Sequence, residues 1–308
     1  MCAGVLMCAL CTVMAACGTG IEVTEHVGDK DVKKVLEQTA SNQSQVTLDA
    51  YVDSVPAWRQ GKLCRVADNQ ARLLFARSHD YDIDTVDLVG KTLTYDGYDT
   101  GGIYDNRRTV NLLFKDNTGN TYVYRTGKTI DEFRSGFSIP MLIDMDMVNH
   151  IGRQVIGKDY YIRTPIWYDC QSEQMRDGRH FIKVHIDSVL PGNAIMPLRA
   201  LFTTADTHEK AMVWMSDNAS TMHGRDFDAL FAAADPHLSY PTISDANWER
   251  ITRAQVVEGM TKEECRLALG SPKRINENPD QSGMREYWYY DGGAFLFFVN
   301  GLLWQFRR

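Results

Sequence analysis

Two dipeptides near the end of the chain, Asp291-Gly292 and Asn300-Gly301, constrain its fold more than any other feature. Both accept the positive φ angles of type I′ hairpins, so they join three consecutive strands into a meander. Taken as two-residue turns, they set Tyr290 opposite Gly293 and Val299 opposite Leu302. Strand side chains alternate, so this register decides two faces. One face carries Trp288, Tyr290, Phe295, Phe297, Val299, Leu302, Trp304 and Phe306. It is almost wholly apolar and is expected to lie under helices, with Trp304 buried. The other carries Arg285, Tyr287, Tyr289, Ala294, Leu296, Phe298, Leu303, Gln305 and Arg307. A purely solvated side would be more polar. This face is therefore expected to meet a partner or another part of the chain, with Tyr287, Tyr289, Leu296 and Phe298 as its contact residues.

Two helices are expected just upstream. Thr252-Arg253-Ala254-Gln255 reads as a capping box whose helix stops at Gly259. Thr261-Lys262-Glu263-Glu264 is a second capping box, and its helix ends at Gly270 with Pro272 beyond. The segments Gly259-Met260-Thr261-Lys262-Glu263-Glu264, Leu269-Gly270-Ser271-Pro272, Tyr287-Trp288-Tyr289-Tyr290 and Phe298-Val299-Asn300-Gly301 resemble the SmpA/OmlA (BamE-like) domain family. The resemblance covers about the last 60 residues. It implies a unit of two helices and three antiparallel strands over 242–308. It also implies an outer-membrane lipoprotein that supports assembly of other envelope proteins. The same unit builds secreted β-lactamase inhibitors, so the likeness of fold does not settle the function.

The N-terminus points to the same place. Met1 to Ala16 has no charged side chain and ends in Met14-Ala15-Ala16-Cys17-Gly18. The run is short for a membrane span of about 20 residues but long enough for the apolar core of a secretory signal. Small residues before a cysteine resemble the lipobox of bacterial lipoproteins, which implies lipid on Cys17. After residues 1–17 comes a polar tether with a short helix, Asp31 to Gln38, over 18–45. Of seven cysteines, Cys64, Cys170 and Cys265 remain in the body. Three thiols allow one disulfide at most, and without a CxxC spacing they do not form a zinc knuckle.

Between the ends, strand-like sequence dominates. Gly90-Lys91, Asn111 to Phe114, Tyr122 to Arg125 and Thr129 to Phe133 form an order that recurs. The second series is Gly157-Lys158, Arg199 to Phe202, Met212 to Met215 and Arg225 to Phe231, with an insertion around Tyr168 to Gly178. Two tandem β modules follow, 46–139 and 140–235, each expected to be a small SH3-like barrel or roll. One larger β domain is the competing arrangement. Pro140 is expected to open a helix from Met141 to His150, and Pro236 to Pro241 marks the boundary before the last unit. The fold class is α+β, mostly β.

No constellation for catalysis emerges. Asp80, Asp82 and Asp84 open like a calcium loop, but Thr85 and Lys91 occupy the positions that need glycine and glutamate. Gly97 to Gly102 reads as a turn between strands, because no Gly-Lys-Ser/Thr follows. His180 and His185 are five apart, so on one strand they face opposite ways. His185 and Asp187 share a face, which is too few ligands for a metal. Cys170 beside Asp169 should have its thiol pKa raised, the wrong direction for a nucleophile. No cofactor is expected. The net charge of −7 excludes the basic footprint of a nucleic-acid binder.

These features together predict a non-enzymatic, lipid-anchored cell-envelope protein. It would sit at the outer membrane facing the periplasm, where it binds envelope proteins. The alternatives are a membrane-anchored periplasmic enzyme using Cys170 or His185, and an inhibitor-type binder anchored by Tyr287, Tyr289 and Phe298.

Overall fold

A computed structural model describes residues 46–76, 87–104, 107–133, 137–217, 224–280 and 283–307. All of these belong to one unit, Asn42–Arg308. The expected lipid site at Cys17, the helix from Asp31 to Gln38 and the acidic series from Asp80 to Asp84 lie outside the described residues. Strand predominates, at 39% against 22% helix, so the class is α+β and mostly β.

The strands form three antiparallel sheets. The first contains β1 (Leu63–Val66), β2 (Phe75–Ala76), β3 (Thr92–Tyr104), β4 (Arg107–Lys115), β5 (Thr121–Arg125) and β6 (Leu142–Asp144). Their order is β6-β1-β3-β4-β5-β2. Helix α1 (Met145–Val155) follows. The second sheet contains β7 (Asp159–Ile162), β8 (Ile166–Tyr168), β9 (Met175–Asp177), β10 (Ile182–Pro191), β11 (Leu198–Thr204), β12 (Lys210–Met215) and, after the one-turn α2 (Phe227–Leu230), β13 (Phe231–Ala232). Its order is β13-β7-β10-β11-β12-β8-β9.

The two orders coincide when β7, β8, β10, β11, β12 and β13 replace β1 to β6 in turn. Only β9 is extra. A short helix precedes the last strand in both, a 3₁₀ turn at Ile130–Glu132 in the first and α2 in the second. The internal repetition is therefore one of topology. The sequence pairing of Phe114 with Phe202, and of Tyr122–Tyr124 with Met212–Trp214, falls on equivalent strands. The pairing of Gly90-Lys91 with Gly157-Lys158 does not, since these lead into β3 and β7. Both glycines simply supply positive-φ turns, at 72° and 78°. The extra strand β9 falls within the expected insertion, Tyr168 to Gly178. Both copies make a long connection there, 67–91 and 163–181.

Three further expectations need correction. Leu142–Asp144 is a strand of the first sheet, so that unit runs past Ile139. Helix α1 starts at Met145, not after Pro140, because Asp144 caps it by accepting a hydrogen bond from Asp146 N at 2.9 Å. Its Met147, Val148, Ile151 and Val155 recur at helical spacing and join the second sheet's core with Trp167 and Phe202. The segment from Gly97 to Gly102 is not a turn. It lies within β3, whose pairing to β4 shifts there at two irregular points.

The third sheet has four strands where three were expected. They are β14 (Arg274–Asp280), β15 (Gly283–Tyr289), β16 (Phe295–Val299) and β17 (Leu302–Arg307), paired in chain order. Before them come α3 (Asp245–Thr252) and α4 (Lys262–Leu269). Thr252 ends a helix and does not start one. Ser244 is the cap of α3, and the Thr252 hydroxyl donates back to Glu249 O. The box at Thr261 and Glu264 forms as expected, and Gly270 at φ +79° ends α4.

Asn300-Gly301 sets Val299 opposite Leu302, as expected. The other turn is longer. Asp291–Gly293 makes a 3₁₀ turn, Tyr290 N donates to Ala294 O, and Tyr289 pairs with Phe295. The register of β15 on β16 therefore moves by one residue, which exchanges the faces of β16. Leu296 and Phe298, each 1% exposed, lie under the helices with Trp288 and Leu303. They are core residues and cannot belong to a contact face. An irregularity after Phe297 in the β16–β17 pairing leaves Trp304 unpaired and 67% exposed. The expected burial of Trp304 is wrong for that reason. Trp288→Ala should cost about 3–5 kcal/mol of unfolding free energy, whereas Trp304→Ala should change it by within about 0.5 kcal/mol. Denaturant midpoints of the two variants check the register.

The C-terminal unit meets the second sheet through α3. His180 N donates to Thr252 O at 2.9 Å, and Phe181 packs edge-on to Trp248. The His180 ring is 4% exposed, and its Nε2 has no hydrogen-bond partner. Burial lowers its pKa from 6.5 to about 4. The unfolded chain then binds a proton that the folded chain refuses between those values, so folding weakens as pH falls through that window. Between pH 7 and pH 5 the loss from this group should be about 2 kcal/mol. Urea midpoints should fall less over that range in His180→Gln than in the parent; equal slopes would contradict the assignment.

Candidate functional site

The face exchange in the third sheet redraws the surface on which Tyr287 and Tyr289 lie. The strands now present Arg274, Asn276 and Asn278 from β14, and Arg285, Tyr287 and Tyr289 from β15. Phe295, Phe297 and Val299 come from β16, and Leu302, Gln305 and Arg307 from β17. Tyr287 and Phe297 are directly paired and stack at 4.6 Å between centroids, with planes 19° apart. The Arg274 guanidinium lies 4.3 Å from the centre of the Tyr289 ring. Cation–π contact of this kind holds an arginine flat without consuming its hydrogen-bond donors. The three arginines are exposed and the rings are half-buried. The opposite side packs on Trp248, Ile251, Cys265 and Ala268 of α3 and α4.

The other sequence candidates do not converge. Cys170 follows β8 and is half-buried; burial first, and then Asp169, raises its thiol pKa. His185 lies on β10, and its Nδ1 is 2.8 Å from Asp159 Oδ1 on β7. Asp187 shares its exposed face, as expected, and accepts at 2.6 Å from Oγ1 of Thr203, the residue paired with His185. Three strand steps separate β10 from β8 in the sheet order, and the His185 ring bonds to Asp159 rather than to Cys170. His180 precedes β10 and is buried against α3. Cys64 and Cys265 are buried, with thiols pushed up to about 12, in both cases chiefly by burial. All three described cysteines are free. No group of three metal-ligating side chains forms among the described residues.

One cluster escaped the sequence reading. Lys62, on the segment entering β1, has a side chain 3% exposed. Its Nζ lies 2.9 Å from Asp53, 2.7 Å from Asp144 and 3.1 Å from Asp146, and it donates to Tyr51 Oη at 3.0 Å. Burial opposes the charge, but the hydrogen bonds to Asp144, Tyr51 and Asp53 outweigh it and raise the pKa. A nucleophilic lysine needs the opposite shift. The ammonium instead joins the segment before β1 to the start of α1. No local pattern announces this, since Asp144 and Asp146 stand 82 and 84 residues from Lys62.

Compared with known proteins, the chain matches no family model, no curated protein and no solved structure.

Lys62→Met strands three carboxylates around an apolar side chain and should destabilise the chain by about 3–5 kcal/mol. Chemical denaturation followed by tryptophan fluorescence measures it.

Proposed function

We propose that the chain is a lipid-anchored envelope protein that acts by binding an acidic protein partner through the outer face of its C-terminal sheet. The observation that carries this reading is the composition of that face. Aromatic rings and three arginines stand together on a chain of net charge −7. Tyrosine and arginine are the residue types that dominate interface hot spots, and a positive patch selects and steers a negative partner. The dispersed, high-pKa thiols and the protonated Lys62 favour binding over catalysis.

The architecture supports the reading further. A 3₁₀ or one-turn helix before a last strand that pairs with the first, around a three-stranded meander, is the order of an SH3-like barrel. We assign both β units to that class, with the first extended to Asp144. The C-terminal order of two helices and an antiparallel sheet fits the BamE-like family, with β14 as an addition. Lipid on Cys17 would place the body at the outer membrane, facing the periplasm. Multiple acyl chains give firm anchoring, at about 0.8 kcal/mol per buried CH₂.

Two measurements test this. Cys17→Ser should move the protein from the membrane to the soluble fraction; retention would defeat the anchor. Arg285→Glu with Arg307→Glu should abolish co-purification of an acidic envelope protein from detergent extracts, while Trp304→Ala leaves the melting temperature unchanged as a fold control. Undiminished recovery by the double variant would defeat the face.

A further inference from the structure

A separate cavity of about 430 Å³ opens between the first sheet's segments, α1 and the loop joining β10 to β11. Trp58 and Ile139 wall it on one side, Met147 and Ile151 of α1 on another, and Ile195 and Pro197 on a third. Volumes of about 300–1,000 Å³ with apolar walls and a few converging polar groups are typical of small-molecule sites. Ile195 is 67% exposed at its edge, an apolar side chain left in water that a ligand in the cavity would cover.

The polar groups define the ligand. Four charged residues line the cavity, and three of them, Asp53, Asp144 and Asp217, are carboxylates. The fourth is Lys62, whose ammonium is already shared among Asp53, Asp144 and Asp146. That cluster alone, one ammonium against Asp53, Asp144 and Asp146, is net negative. Low-dielectric walls concentrate that field inside the cavity. An anionic ligand would meet repulsion, and a neutral one would leave the surplus uncompensated.

We propose that this cavity binds a small amphiphilic cation. Its aliphatic or aromatic body lies between Trp58, Met147 and Ile195, and its ammonium group lies toward Asp53 and Asp144. The site is independent of the C-terminal sheet face, so either assignment can fail without the other.

A matched series tests it: 4-phenylbutylammonium, 4-phenylbutanol and 4-phenylbutyrate share one body and differ in charge. Each is titrated by calorimetry into the chain lacking residues 1–17, with tryptophan fluorescence recorded in parallel. The ammonium should bind at least tenfold tighter than the alcohol, and the carboxylate should not saturate. Raising salt from about 0.05 to 0.5 M should weaken the ammonium alone, because screening acts on charge. Asp53→Asn should weaken the ammonium at least fivefold and spare the alcohol. Should that variant misfold, Ile195→Trp, made at an exposed position, provides the second reading by narrowing the mouth and weakening both ligands. Equal affinity across the series, no saturable binding of the ammonium, or indifference to Ile195→Trp in a normally melting protein would overturn the proposal.

Discussion

The Lys62 ammonium holds the architecture at its narrowest point. The chain passes from the first sheet to the second with no spacer: Asp144 is at once the last residue of β6 and the cap of α1. Its carboxylate accepts from Lys62, from Tyr51 and from the first turn of the helix. A single side chain therefore fixes the strand end, the helix start and the segment before β1. A buried ion pair is weak evidence for net stability, because desolvation offsets much of the attraction. Its better-attested use is to specify one arrangement, and here it ties the start of α1 to the first sheet. Met147 and Ile151 of that helix lie both against the second sheet's core and along the cavity wall.

The sequence made some of this legible and concealed the rest for identifiable reasons. The capping box at Thr261, the turn at Asn300-Gly301 and the dominance of strand could all be read locally, because each depends on residues a few positions apart. The turn after Tyr290 misled because a glycine follows the Asp-Gly pair. With Gly292 and Gly293 both at positive φ, the loop takes in another residue, and one residue reverses every side chain of β16. The Asp291-Gly292-Gly293 triplet was the available signal. The candidate face was consequently half right: Tyr287 and Tyr289 lie on it, while Leu296 and Phe298 support it from beneath. The Lys62 cluster was invisible because its members are distant in sequence and ordinary in type.

Repetition in this chain is carried by topology more than by residues. The two β units share a strand order while the lengths between strands differ, so an alignment by motif slips at one end, where Gly90 leads into the third strand of its unit and Gly157 into the first. Turn glycines, which recur wherever a chain reverses, are poor anchors for such an alignment. Strands whose core residues must meet across a sheet, such as Phe114 in one unit and Phe202 in the other, are better ones.

The two seams of the molecule differ in kind, and the difference follows from which group is buried at each. At the first, a lysine is buried among carboxylates that hold its proton, so the contact keeps its charge state throughout the neutral range. At the second, between the β10 side of the middle sheet and α3, a histidine is buried without a partner for Nε2. Desolvation outweighs the opposing hydrogen bond to the Ile251 backbone, and it accepts a proton only well below neutrality. The second seam loses stability steadily as pH falls below 6.5. The aromatic and arginine face belongs to the unit beyond that second seam. Its own support is the Trp288 core and not His180, so acid weakens how the unit is held before it alters the surface the unit presents.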